Sequence, residues 1–267
     1  MPLAAMKKSH SDGGNMKEIE KAIILAAGGG LRLRPMTDYM PKCLIQVNEK
    51  SILVNALENL ENNGIRETLL VVGYKSEQIK ETIGNCLKGM KIVYCQNPIY
   101  DKTNNIYSLY LVRDHLKEGV ILLEGDVFFE DRILKELLSK DKGKTYWAVD
   151  RFTEELDGCM LTAGKDNTIV DIHIVREKLA KYKDNFFKSV GMLRITSDFG
   201  RAFEGWLETE IRNDVKDIYY DLVLAKHIRE KAIYICDING LKWAEIDTQE
   251  DLNLAAKRMG DTSCKRR

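Results

Sequence analysis

Three consecutive glycines, Gly28, Gly29 and Gly30, followed at once by Arg32 and Arg34, make the segment of this chain best suited to handling an anion. They come straight after the apolar run Ala22 to Ala27. Glycines placed there let backbone N–H groups close around a phosphate, and arginines just beyond neutralise its oxygens. Neither common phosphate loop is present: the Gly-Lys-Ser/Thr ending of the P-loop is missing, and Arg34-Pro35 stands where the helix of a dinucleotide site would begin. Another cation, Lys42, follows Pro41, which fixes an extended approach; a Pro-Lys pair alone reads as solvated surface. Taken alone, Asp126 is an ordinary strand-end residue after Leu123-Glu124-Gly125, and Asp247 a helix N-cap before Thr248.

The elements that must position these residues alternate. Ala22-Ile23-Ile24-Leu25-Ala26-Ala27 is apolar without a period, which predicts a strand buried on both faces and so a sheet covered by helices. Ser51 to Asn63 carries Ile52, Leu53, Ala56, Leu57 and Leu60 at helical spacing, with Gly64 as its stop. Strands at Thr68–Val72, Lys91–Cys95 and Val120–Leu123 alternate with a helix capped by Ser76 and running through Ile83, and with one from Asn105 to Leu116. This is a βαβ series. Strands at Thr145–Val149, Met160–Thr162, Ile169–Ile174 and Lys188–Ile195 are closer together and more polar, predicting an antiparallel addition. Helices are expected at Ser197–Glu210, Asp217–Glu230 and Thr248–Met259, and strands at Ala232–Ile235 and Lys242–Ile246 with Gly240 breaking that pair. The expectation is one α/β domain over residues 21–259 with a small β-rich lid at about 145–195.

Composition narrows the function classes. The 267 residues carry 41 basic and 41 acidic side chains, so no global field favours nucleic acid or an anionic membrane, and any anion site must be local. With 44% apolar residues the chain can bury a full core. Its six cysteines form no CxxC pair, which reads as free thiols in a reducing cytoplasm rather than a disulfide framework or metal cluster. No apolar run approaches a membrane span. Residues 1–20 read as a polar, flexible extension without the apolar stretch of a signal peptide, with Met6 and Met16 as alternative starts, and 260–267 as a polar tail.

The glycine segment with its sequel resembles the signature of the nucleotidyltransferase family that makes NDP-sugars and CDP-alcohols. That signature is Leu-Ala-Ala-Gly-x-Gly-x-Arg-Leu-x-Pro-x-Thr followed by Pro-Lys-x-Leu; Gly28, Gly30, Arg32, Leu33, Pro35, Thr37, Pro41, Lys42 and Leu44 match it. Leu123-Glu124-Gly125-Asp126 resembles the family's strand-end metal aspartate, and Trp243-Ala244-Glu245-Ile246-Asp247-Thr248 its second metal motif. The resemblance covers roughly residues 21 to 259 and implies a Rossmann-like, mostly parallel mixed sheet flanked by helices. It implies that Asp126 and Asp247, helped by Glu245, hold Mg²⁺. By the same resemblance Lys42 and Arg32 are the catalytic cations, on the α-phosphate and the triphosphate, with nucleotide contacts from Leu25, Ala27, Gly28, Gly29, Gly30, Gly73 and Tyr74. The reaction implied is attack by a phosphate or phosphonate oxygen on the α-phosphorus of a nucleoside triphosphate, with pyrophosphate leaving.

Asn105-Ile106-Tyr107-Ser108-Leu109 is similar to a segment of the cytidylyltransferase branch acting on phosphocholine and 2-aminoethylphosphonate, and Ile218-Tyr219-Tyr220-Asp221 to an Ile-Tyr-Trp-Asp of the phosphonate enzymes. This implies CTP and a small phosphorylated or phosphonate acceptor as partners, with Asn105, Tyr107, Tyr219 and Asp221 near the acceptor. One departure leaves the cation cage open: Asp157-Gly158-Cys159 stands where those enzymes carry Glu-Trp. Tyr219 and Tyr220 equally fit a packed helix; Lys183 and Lys188 could reach an acceptor's phosphate, although the lysine series 178, 181, 183 and 188 fits a solvated face better. Inositol 1-phosphate or a sugar 1-phosphate is the alternative acceptor, and a non-catalytic nucleotide sensor the alternative class. Presence of all four of Arg32, Lys42, Asp126 and Asp247 argues against a sensor. Assembly as a homodimer is left open.

Overall fold

The computed structural model describes residues 18–152, 158–175 and 185–260. Expectations for the stretch before residue 18, for Asp157, for Lys178, Lys181 and Lys183, and for the tail beyond 260 lie outside the described residues.

Lys21–Ala26 runs through the middle of a ten-stranded sheet. It is parallel to Val120–Glu124 on one side and to Glu67–Val72 on the other, with Met90–Gln96 parallel beyond. The unbroken apolar run follows from its two buried faces. Ala22, Ile24 and Ala26 pack with Leu57, Leu70 and Leu123 in one core, while Ile23 and Leu25 pack with Leu109, Leu122 and Leu193 in the other. Helix Ile52–Asn62 begins where the Ser51 hydroxyl accepts from the Val54 N–H at 3.3 Å, and the chain turns away at Gly64 with φ +86°.

The strands expected as a lid are continuous with this sheet. Phe186–Ile195 is antiparallel to Val120–Glu124 through residues 192–195, but its earlier residues 186–188 pair instead with Thr162 to Met160. The hairpin Gly158–Ala163 and Ile169–Val175 therefore stands beyond the carboxyl end of Val120–Glu124, on the same side of Phe186–Ile195.

Several boundaries differ from expectation for identifiable reasons. Ser76 is the first residue of helix Ser76–Ile83, not its cap; Lys75 precedes it at φ +48° and no side chain caps it. The helix from Asn105 stops at Leu111, and a 3-10 turn over Arg113–Glu118 carries Leu116 into the core alongside Leu109 and Val112. The helix expected from Asp217 starts only at Tyr220, whose N–H donates to Asn105 Oδ1 at 2.9 Å, a cap supplied by a different element. The last two strands do not pair with each other. Ile233–Asp237 lies parallel to Thr145–Arg151, and Trp243–Glu245 antiparallel to Val127–Phe129, with Gly240 at φ +84° turning the chain between them. Among the described residues no helix is long and apolar enough to cross a membrane, and the five described cysteines are free.

Candidate active site

Parallel strands in register deliver their following loops to one place. Leu25 lies beside Glu124 and Ala26 beside Val72, so the glycine loop, Gly125-Asp126 and Gly73-Tyr74 emerge together at the carboxyl edge of the sheet. The backbones approach too closely for side chains: a Cβ on Gly125 would lie 2.6 Å from the Leu25 carbonyl, and one on Gly73 2.6 Å from the Ala27 carbonyl and 2.7 Å from the Tyr100 ring. Gly30 adopts φ +59°, and a Cβ there would lie 2.9 Å from the Lys42 Cβ. The loop is then tied in place. Thr37 Oγ1 donates to the Gly30 carbonyl at 3.0 Å, Tyr74 N–H to the Ala27 carbonyl at 3.0 Å, and Tyr74 OH to the Thr37 carbonyl at 2.8 Å.

Asp247 comes from far along the chain to the same spot. The Trp243–Glu245 strand pairs Glu245 with Val127, and the Ile246 N–H donates to the Asp126 carbonyl at 3.0 Å, which sets Asp247 opposite Asp126. Lys42 Nζ sits between them, 2.8 Å from Asp126 Oδ2 and 2.6 Å from Asp247 Oδ1, with its side chain only 13% exposed. Burial pulls the Lys42 ammonium towards neutrality, but the two carboxylates overrule it and hold its pKa above the ordinary lysine value. Burial likewise pushes Asp247 up, and Lys42 with Arg32 more than offsets this, leaving its carboxyl below the ordinary range. Arg32 reaches Asp247 Oδ2 at 2.8 Å from a largely exposed position.

These groups line a cavity of about 700 Å³. Of the residues expected at the site, Leu25, Ala27, Gly28, Gly30, Arg32, Lys42, Asn105, Asp126, Tyr219, Asp221, Glu245 and Asp247 line it. Gly29, Gly73 and Tyr74 do not line it and act as the frame of the glycine loop. Tyr107, expected beside the acceptor, is not in the wall either; it stacks on Tyr110 with ring centroids 6.0 Å apart. Asn105 lines the cavity while its Oδ1 caps the helix that carries Asp221.

Glu245 does not join Asp126 and Asp247 directly. Its Oε2 accepts from Lys188 Nζ at 2.7 Å, and Lys188 is 4% exposed rather than part of a solvated face. Around that lysine lie Glu124 and Asp221, both lining the cavity. Glu124 Oε1 accepts from the fully buried Tyr220 OH at 3.1 Å. Burial raises Glu124 well above the carboxylate range, with the Asp221 and Asp126 charges adding to it; burial also raises Glu245, and lifts Asp221 to about 7 against the opposing pull of Lys188. Glu124, to which motif reading gave no role of its own, lines the cavity, and so does Lys188, which the sequence leaves between reaching an acceptor's phosphate and a solvated face. The available signal for Lys188 was its place inside the run Phe186-Phe187-Lys188-Ser189-Val190, where a lysine on a buried strand calls for a partner.

The donor set fits a divalent cation in part. Asp126 Oδ1 is buried without a hydrogen-bond partner, and Asp126 with Asp247 offers hard carboxylate oxygens. Among the described residues no three His, Cys, Asp or Glu side chains are grouped to hold a metal by themselves, so a ligand's own oxygens are needed to complete the shell.

A sheet edge with a close-packed glycine loop facing a lysine clasped by two aspartates defines a class of α/β enzymes that act on nucleotides. Comparison with known proteins gives the family. The model of the nucleotidyl transferase family matches residues 21–152. The chain is 32% identical over 236 residues to choline-phosphate cytidylyltransferase of Streptococcus pneumoniae, spanning 86% of this chain and 94% of that one. It is also 32% identical over 235 residues to the CMP-5'-(3-aminopropyl)phosphonate synthase of Streptomyces rubellomurinus, of which it spans 37%. The solved CTP:phosphocholine cytidylyltransferase from Streptococcus pneumoniae superposes with a TM-score of 0.76 at 26% identity, over 90% of this chain and 98% of that one. This chain belongs to the nucleotidyl transferase family and is a nucleotidyltransferase.

Proposed function

We propose that this enzyme is a Mg²⁺-dependent cytidylyltransferase that couples CTP to a small phospho-alcohol or aminophosphonate, giving a CDP-alcohol or a CMP-phosphonate and pyrophosphate. The observation that carries this is the arrangement of charge in one cavity: Arg32, Lys42, Asp126 and Asp247 beside the glycine loop, and Lys188 among Glu124, Asp221 and Glu245 adjoining them. Together they suit a substrate that is an anion at the reacting group and a cation at its tail. The cytidylyltransferase names of the relatives support CTP as the nucleotide.

Asp126 and Asp247 would hold the metal, which when bound supplies charge for the α-phosphate and the departing pyrophosphate. The glycine-loop amides and Arg32 bind the triphosphate. Lys42, released from the aspartates by arriving phosphate, neutralises charge at the α-phosphorus, where removal of one such group commonly costs ~10²–10³ in rate. Lys188, paired with Glu245, holds in place the carboxylates that receive the acceptor's cationic tail. The acceptor oxygen is already anionic, so a P–O bond forms and the α–β bridge breaks with no general base required.

Pyrophosphate release with CTP and Mg²⁺ across phosphocholine, phosphoethanolamine, 2-aminoethylphosphonate, inositol 1-phosphate and glucose 1-phosphate tests the assignment. Turnover with CTP on an amine-bearing acceptor is expected. Preference for another nucleotide, or turnover confined to the sugar or inositol phosphate, overturns it.

A further inference from the structure

We infer that the acceptor's tail is a primary ammonium, as in an aminoalkyl phosphonate or phosphoethanolamine, and not a trimethylammonium. The inference rests on the cytidylyltransferase assignment above and sharpens it at the part of the cavity around Lys188, Glu124 and Asp221.

Asp221 carries the argument. It is 4% exposed, it lines the cavity, and its Oδ1 has no hydrogen-bond partner. A buried acceptor atom in that state lacks a donor, and leaving it so is costly. The Asn105 Oδ1 accepts from the Tyr220 N–H at 2.9 Å and so starts the helix that carries Asp221. Next to it stands Glu124. Its Oε1 already accepts from Tyr220, and its Oε2 rests over Gly191, where a Cβ would come within 3.0 Å. Gly191 in turn sits at φ +70° in an irregular stretch of Phe186–Ile195, its N–H donating to Ser189 Oγ, which itself accepts from Trp147 Nε1 at 2.8 Å. Two elements thus present carboxylates to the same volume, and Lys188 answers Glu245 by a direct ion pair.

The two kinds of tail ask different things of such a site. A primary ammonium has three N–H donors and can satisfy the Asp221 and Glu124 oxygens directly. A trimethylammonium has none; its methyl groups would cover Asp221 Oδ1 and leave it unpaired, and it is best held by aromatic faces, tryptophan above all. None of the chain's three tryptophans is in the wall: Trp147 bonds Ser189, Trp243 bonds Asp150, and Trp206 stacks on His227. Among the described residues only Tyr100 and Tyr219 contribute aromatic surface, and Tyr100 is paired with Tyr74.

The test is kcat/KM at saturating CTP and Mg²⁺ along phosphoethanolamine, its N-methyl and N,N-dimethyl derivatives, and phosphocholine, with 2-aminoethylphosphonate and glycerol 3-phosphate alongside. Loss of N–H donors should lower kcat/KM stepwise, by ~10²-fold or more from the primary amine to phosphocholine, since a site built to hydrogen-bond a group rejects the analogue lacking it. Asp221→Asn should compress that ratio to within about tenfold by lowering the primary amine's value most. Phosphocholine equal to or better than phosphoethanolamine overturns this inference while leaving the cytidylyltransferase assignment intact. Glycerol 3-phosphate as the best acceptor does the same. No CTP turnover with any of the six overturns both.

Discussion

Lys42 Nζ and Asp126 Oδ2 are 2.8 Å apart although 84 residues separate them in the chain, and the same ammonium is 2.6 Å from Asp247 Oδ1. One cation therefore keeps two carboxylates together before any ligand arrives. Replacing Lys42 by Met leaves Asp126 and Asp247 facing each other with only the largely exposed Arg32, on Asp247, as counter-charge. Breaking a buried pair costs several kcal/mol; with partial exposure of the aspartates, a loss of about 2 kcal/mol in urea unfolding is expected. Millimolar Mg²⁺ should return stability to the variant and add little to the parent. Turnover should fall ~10²–10³-fold while the far-ultraviolet dichroism stays native. A variant as stable as the parent and unresponsive to Mg²⁺ would show that the aspartates are not held by Lys42.

Gly30→Ala probes the glycine loop. At φ +59° a side chain is strained by about 1 kcal/mol, and the new methyl would sit 2.9 Å from the Lys42 Cβ. The lysine must shift, so KM for CTP should rise at least about tenfold while the thermal midpoint drops only a few degrees. Gly28→Ala, where a Cβ meets nothing within 4 Å, is the matched control for crowding and should be milder. Equal effects at both positions would count against close packing of the loop on Lys42.

The parallel half of the sheet was legible because its strands are apolar on both faces: Ala22 to Ala27 and Val120 to Leu123 admit no other placement. Arg32, Lys42, Asp126 and Asp247 were legible by resemblance, since their motifs are local in sequence. What motif reading passed over depends on pairings between distant segments. Lys188 reads either as a reach to an acceptor's phosphate or as one of a solvated lysine series, and only the fold, which places it beside Glu245, 57 residues on, shows that it is buried and paired. Tyr107 sits in the matching segment, yet helix phase turns its ring onto Tyr110. The start of Tyr220–His227 is set by Asn105, 115 residues earlier, which no local capping rule can anticipate.

Lys188→Met should destabilise the fold more than Lys42→Met. Lys188 is the counter-charge for Glu245 and opposes the raised carboxyls of Glu124 and Asp221 in a site it shares with them. Burial lowers its own pKa, but Glu245 and Glu124 override this and hold it above the ordinary lysine value, so the lysine itself stays charged to about pH 10 and its own titration removes its contribution only above that. Its loss should cost about 3 kcal/mol at pH 8. At pH 5 the cost should shrink, because the orphaned carboxyls can take up protons instead. Urea unfolding at the two pH values decides it: a loss that is the same at both would mean Lys188 contributes packing and not charge.

Asp221 gives the pH dependence of acceptor binding. Burial is the main cause of its pKa of about 7, against an ordinary carboxyl near 3.8 once unfolded. Between those values the folded state holds a proton that the unfolded state has released, so stability falls as pH rises from about 4 to 7. Asp221→Asn removes that slope, and the variant should match the parent near pH 4 but exceed it at pH 8 by a few kcal/mol in order of magnitude, with Glu124 and Glu245 supplying a remaining slope of the same sign. Acceptor binding runs the other way, because an ammonium needs the ionised carboxylate. KM for 2-aminoethylphosphonate should fall as pH passes through 7, while KM for CTP, held by the glycine loop and Arg32, should change less. Both profiles come from one set of steady-state assays between pH 6 and 8.5, and an acceptor KM flat across that range would remove Asp221 from contact with the substrate.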